Sequence, residues 1–263
     1  MKLNKEFLEK YNDLMNEDVE LALEFSLNAL QESNNVDFYA YIADCYMSLE
    51  EFDKAVNTLK IGLSNNCTNS TYANSTYAKS LLGESLFYLN KFEESKSIFE
   101  DLKLENPNSF FVTAYLIDIN INLNKYGEAI KLGLDILNSN VLDSNDAAYI
   151  LVNLGWINLK YLNNKDKSLE YFNKALELDE NIGRAYIGLA EYYFSIGDYN
   201  SSLVNYEKAI DLQEGNIDVY FGIAMCYKAL KQYDDALSYL HIVHDADSSN
   251  EIYIKEIREI DKL

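Results

Sequence analysis

His241 and His244 are the only histidines in 263 residues. They stand three apart in a helical stretch and precede Asp245 and Asp247, a spacing that could present two ligands to one metal ion. They have a plainer reading, since imidazoles near a helix C-terminus sit favourably against its negative dipole end. No matching Cys or His cluster occurs elsewhere, so no metal and no other cofactor is expected. Cys45, Cys67 and Cys226 are odd in number and widely spaced. Cys45 and Cys226 fall two residues after equivalent small residues and read as reduced packing residues, whereas Cys67 sits in a polar loop open to oxidants. With 43 acidic residues, carboxylate pairs arise everywhere and none stands out as a general acid–base pair. There is no glycine-rich phosphate loop, HExxH helix or GxSxG elbow, so catalysis is not expected.

The elements beneath these residues recur. Ala43, Gly83, Ile117, Gly155, Ala190 and Ala224 mark equivalent places spaced 40, 34, 38, 35 and 34 residues apart. All but Ile117 are small. About twelve residues after each comes a second small residue: Ala55, Ser95, Ala129, Ser168, Ser202 and Ala236. Large residues flank both markers at helical spacing, as Leu189 and Tyr193 flank Ala190, so each unit predicts two amphipathic helices and a turn. Small residues at both markers let two helices approach to roughly 8 Å where they cross. The turns pair a polar residue or helix breaker with an aromatic, as in Leu49–Asp53, Leu89–Glu94, Leu123–Glu128, Ile196–Asn200 and Leu230–Asp235. Gly197, Asn90 and Asn124 can take the left-handed conformation that closes a helix, and Asp198 is placed to cap the next one.

This pattern resembles the tetratricopeptide repeat, whose signature runs W-x2-L-G-x2-Y, then A-x3-F, then P. Leu82-Gly83 and Leu154-Gly155 supply the L-G step, and Tyr46, Tyr193 and Tyr227 the later tyrosine. The A-x3-F step is matched by Ser95 with Phe99, Ser168 with Phe172 and Ser202 with Tyr206. The closing proline appears only as Pro107. The resemblance implies an all-α, right-handed solenoid of stacked antiparallel helix hairpins.

Six repeats are expected at about 36–69, 76–109, 110–143, 147–181, 183–216 and 217–250, in one continuous array over 36–249. Residues 1–35 read as a degenerate N-terminal hairpin carrying Ala22 and Ala29. Residues 250–263 read as a C-terminal capping helix with Ile252, Ile254, Ile257 and Ile260 among alternating charges, a device that open arrays need. Ser64–Ser75, rich in Ser, Thr and Asn, is an expected surface loop.

A formal net charge of −21 repels phosphate backbones and anionic lipid, which excludes nucleic acid and membrane partners and favours a basic one. An acidic exterior also serves solubility alone. No apolar run resembles a signal peptide or a membrane span, so a cytoplasmic location is expected.

In the family this chain resembles, the first helices of successive hairpins line a concave groove. The resemblance places there Asp44, Glu84, Asp118, Trp156, Glu191 and Met225, one residue after each marker. Ile187 and Phe221 come from three residues before it and Phe194 from four after, on the same helical face. The first three make an acidic row and the later residues an apolar stretch, unlike the Lys, Asn and Arg of a carboxylate clamp. The expected function is a non-enzymatic scaffold that binds a basic and apolar peptide or protein segment in this groove. The alternatives are a peptide-sensing regulator acting through a partner, or a self-assembling subunit. The oligomeric state is left between a monomer and a weak homodimer. Residues 1–35 lack a basic recognition helix, which argues against direct DNA binding.

Overall fold

The computed structural model describes residues 5–33, 35–64 and 76–262. Cys67 and most of the expected 64–75 loop lie outside them. Every regular element among the described residues is helical, so the fold is all-α. The chain divides into two compact units, 1–132 and 133–263.

The first unit contains α1 (Lys5–Glu17), α2 (Val19–Ser33), α3 (Phe38–Ser48), α4 (Phe52–Ser64), α5 (Thr76–Tyr88), α6 (Phe92–Glu105) and α7 (Phe110–Asn122). The division falls inside α8 (Tyr126–Asn138). The second unit continues with α9 (Ser144–Trp156), α10 (Lys165–Leu178), α11 (Gly183–Ser195), α12 (Tyr199–Asp211), α13 (Ile217–Ala229), α14 (Tyr233–Ala246) and α15 (Glu251–Ile260).

Within each unit the core is a series of clusters shared by successive hairpins, because a single hairpin cannot bury its own apolar face. In the first unit Phe7, Tyr11 and Leu14 of α1 pack with Ala22 and Ala29 of α2 against Phe38 and Cys45 of α3. Ala43, Ala55 and Leu59 then meet Ala78 and Leu82 of α5. In the second unit Phe172 and Ala175 of α10 join Val152 of α9 to Ala185 and Leu189 of α11. On α15, Tyr253 and Ile260 pack against Leu240 and Val243 of α14, while Ile252, expected in this covering face, is 57% exposed. One reason is register: Tyr253 and Ile260 are seven apart and share a helical side that Ile252 does not.

Five turns inside hairpins close alike. Glu50, Asn90, Asn124, Gly197 and Lys231 all have φ between 58° and 84°. In each, the following amide donates to a carbonyl five residues back, as Glu51 does to Tyr46 and Asp198 to Tyr193. This is the six-to-one bond of a Schellman closure. Asp198 then caps α12 by accepting from the Ser201 amide at 3.1 Å.

The two small markers touch through hydrogen bonds and aromatic packing. Ser95 Oγ donates to the Gly83 carbonyl at 2.7 Å, and Ser202 Oγ to the Ala190 carbonyl at 2.8 Å. A Cβ on Gly83 would lie 2.7 Å from the Phe99 ring, and one on Gly155 2.5 Å from the Phe172 ring. Glycine therefore occupies the L-G step where the aromatic of the second helix packs closely on the first.

One unit departs from this rule. Gly155 and Ser168 are thirteen residues apart, not twelve. The extra residue is absorbed as a π-helical turn over Ile157–Tyr161 at the end of α9. The closing bond lengthens with it: the Asn164 amide donates to Asn158, six residues back.

Candidate functional site: a depression in the second unit

Helices α9, α11 and α13 carry the first markers of three successive hairpins, and between them lies an open depression of about 640 Å³. Its floor is apolar. Trp156 stands edge-on to Phe172 with centroids 5.6 Å apart, which fixes the indole from below. Phe221 packs on Tyr253 at 5.2 Å, and Ile187 and Met225 fill the space between. Phe194 is 36% exposed at the edge.

The polar groups are ordered around that floor. Lys160, carried on the π turn, lies over the Trp156 ring at 5.4 Å from its centroid and donates to Glu191 at 2.8 Å. Glu191 also accepts from the Tyr206 hydroxyl at 3.3 Å. That hydroxyl projects into space left by Gly222, where a Cβ would come within 2.4 Å of it. Burial first, and then the Glu191 charge, push the Tyr206 phenol well above its usual range, so it remains a donor. Arg184 on the opposite wall lies over Tyr149 and donates to Asn153 Oδ1 at 3.4 Å. Glu214 and Asp218 line the rim where α12 passes into α13.

Of the residues expected to form a groove, Trp156, Ile187, Glu191, Phe194, Phe221 and Met225 all line this one depression. Asp44, Glu84 and Asp118 belong to the first unit. Each is half-buried. Asp44 Oδ2 accepts from both the Tyr11 and Tyr77 hydroxyls, each at 2.7 Å. Glu84 accepts from Tyr115 at 2.9 Å. Burial raises the Glu84 pKa, the Tyr115 bond opposes this, and the Asp44 charge adds to it. The first two acids of the row therefore bind tyrosines of neighbouring helices.

Sequence reasoning missed Lys160, Arg184, Tyr206, Glu214 and Asp218 at the depression. For Lys160 a signal existed, because the thirteen-residue interval announces a displaced turn. Also unforeseen is Lys96, buried in the first unit, where it donates to Asn120 Oδ1 at 2.9 Å and to Glu128 at 2.6 Å. Burial opposes its charge, but the hydrogen bond and field of Glu128 outweigh this and raise its pKa.

His244 Nδ1 lies 3.9 Å from Asp245 Oδ1. No cluster of three or more potential metal ligands is gathered among the described residues. No described helix is long and apolar enough to cross a membrane. Cys45 and Cys226 are free and fully buried, and burial pushes the Cys45 thiol up to about 11.

Tetratricopeptide repeat family models match residues 77–109, 148–182 and 194–253. No curated protein matches the chain significantly by sequence. A tetratricopeptide repeat protein from Parabacteroides merdae aligns over 97% of this chain and 98% of its own, with 18% identity and a TM-score of 0.74. PilF of Pseudomonas aeruginosa aligns over 86% of this chain and 96% of its own, with 16% identity and a TM-score of 0.67. YrrB, described as a tetratricopeptide repeat protein with an unusual peptide-binding site, aligns over 78% of this chain and 98% of its own, with 15% identity and a TM-score of 0.50. At these identities the likeness is one of fold.

Proposed function

Because this chain belongs to the tetratricopeptide repeat family, whose members generally act as non-enzymatic interaction scaffolds, we propose that it binds a peptide or protein segment in the depression of its second unit. The observation that carries the reading is the convergence of Trp156, Ile187, Phe221 and Met225, from three successive first helices, on one open apolar floor with a charged border. Sites that bind chain segments combine such anchoring pockets with a polar rim. Aromatic anchors of this kind dominate binding energy at interfaces. The net charge of −21 supports a basic partner and opposes nucleic acid.

The test compares partners captured from the source cell by the wild-type chain and by Phe194→Ala and Phe221→Ala variants, quantified by mass spectrometry. Proteins that bind in the depression are depleted from both variants. A capture profile identical for all three would overturn the reading. Trp156 is the sole tryptophan, and its fluorescence should respond when a captured partner is added back.

A further inference from the structure

The charges around the depression are not equivalent. Had the interval from Gly155 to Ser168 been twelve residues, as elsewhere, no π turn would be needed before α10. Lys160, on that turn and four residues after Trp156, lies on the indole face and on the Glu191 carboxylate. Glu191, the acid that points from the marker column, is thus already answered by a cation and by the Tyr206 hydroxyl. Arg184 is held by the Tyr149 ring and by Asn153, both neutral, so its position is fixed but its charge is not cancelled.

Glu214 and Asp218 differ. Both are exposed, both border the depression, and neither carboxylate has a hydrogen-bond or ion-pair partner among the described residues. Glu214 lies against Gly183 at the start of α11, where a Cβ would come within 2.2 Å of its Cγ. Beyond the Lys160–Glu191 pair, the two carboxylates outnumber the single charge of Arg184, so the lining is net negative and its unpaired acids stand beside an apolar floor.

We propose that the segment bound here presents a large apolar side chain to the floor between Trp156 and Phe221, with a neighbouring lysine or arginine reaching the rim at Glu214 and Asp218. This deepens the function proposed above and rests on it. The basic group avoids Glu191, because displacing Lys160 would leave one cation unpaired for each one gained. It is drawn to the rim, where a ligand that excludes water strengthens each ion pair. At this rim an acidic neighbour in the ligand would meet two unpaired carboxylates, which gives the position selectivity as well as attraction.

The test is selection from a random-peptide phage library on the full immobilised chain, followed by anisotropy titrations of the selected peptides. Expected peptides carry an aromatic or large aliphatic residue beside Lys or Arg. They should bind a Glu214→Gln, Asp218→Asn double variant about threefold to tenfold more weakly, the range of a rim ion pair partly shielded from water. The weakening should shrink as salt is raised. Both substitutions are at exposed positions, so the variant is expected to fold. Peptides that depend on Phe194 and Phe221 yet lack a basic residue, or bind the double variant equally well, overturn this inference and leave the seat intact. Selection that yields only peptides indifferent to Phe194→Ala and Phe221→Ala overturns the seat and this inference together.

Discussion

Ser202 Oγ donates to the carbonyl of Ala190 at 2.8 Å, a bond that ties the second helix of a hairpin to the first across their closest approach. Ser95 repeats it with Gly83. Ser168 occupies the same place beside Gly155, but the interval there is one residue longer, and its buried hydroxyl has no partner among the described residues. A satisfied hydrogen bond contributes about 1 kcal/mol net, and an unsatisfied buried polar group costs about 1–3 kcal/mol. Ser95→Ala and Ser202→Ala should therefore each destabilise by about 1 kcal/mol, while Ser168→Ala should be neutral or stabilising. Urea midpoints of the three variants decide it. Similar losses at all three positions would show that side-chain volume, not the hydrogen bond, sets the cost.

The aromatic that follows each serine gives a second test. Phe172 is fully buried and lies so close to Gly155 that an added Cβ meets its ring at 2.5 Å. The ring is held from the other side by Gly188, where a Cβ would come within 2.3 Å. It cannot retreat either way. Gly155→Ala should cost about 1–3 kcal/mol through overpacking, despite the better helix propensity of alanine. Gly127, with nothing within 4 Å of an added Cβ, is the control. There the same change should stabilise by up to about 1 kcal/mol. Thermal melts showing the two variants alike would refute the packing account.

Turn residues offer a gain. Glu50 and Lys231 hold φ of 59° and 61°, the left-handed region that costs a side-chain-bearing residue roughly 1 kcal/mol. Gly197 occupies the equivalent place in another turn without that cost. Glu50→Gly and Lys231→Gly should each change stability by between zero and about +1 kcal/mol, since the entropy glycine loses on folding offsets part of the relief. A clear loss in either thermal midpoint would mean that the side chain itself supports the turn.

The hairpin plan was legible in the sequence because it is imposed many times over. Markers such as Gly83 and Ser95 obey a local rule, the clearance between two helices, that every unit must meet. The rim was not legible, since Glu214 and Asp218 lie outside the marker columns and are brought to the depression by the path from α12 into α13. The acidic row was legible in position but not in chemistry. Nothing in the spacing of Asp44, Tyr11 and Tyr77 says that two hydroxyls, each 33 residues away in the chain, converge on one oxygen. Lys160 lies between these cases: the extra residue can be counted, but where a π turn sends its side chain is a matter of packing.

Glu84 makes the chemistry of that row measurable. Its pKa is raised above the usual glutamate value of 4.5, chiefly by burial. An acid whose folded pKa is raised stabilises the folded state most when protonated. Its contribution is full below the unfolded value and is lost as pH rises through the folded one. Glu84→Gln removes the titration while keeping a carbonyl to accept from the Tyr115 hydroxyl. The variant should be more stable than wild type at neutral pH, and the difference should fade as pH drops below the usual glutamate range. Because other carboxylates titrate in the same interval, the informative quantity is the difference between the two melting curves at each pH. A variant that is less stable at neutral pH would show that the charge-assisted bond from Tyr115 outweighs the cost of burying the carboxylate.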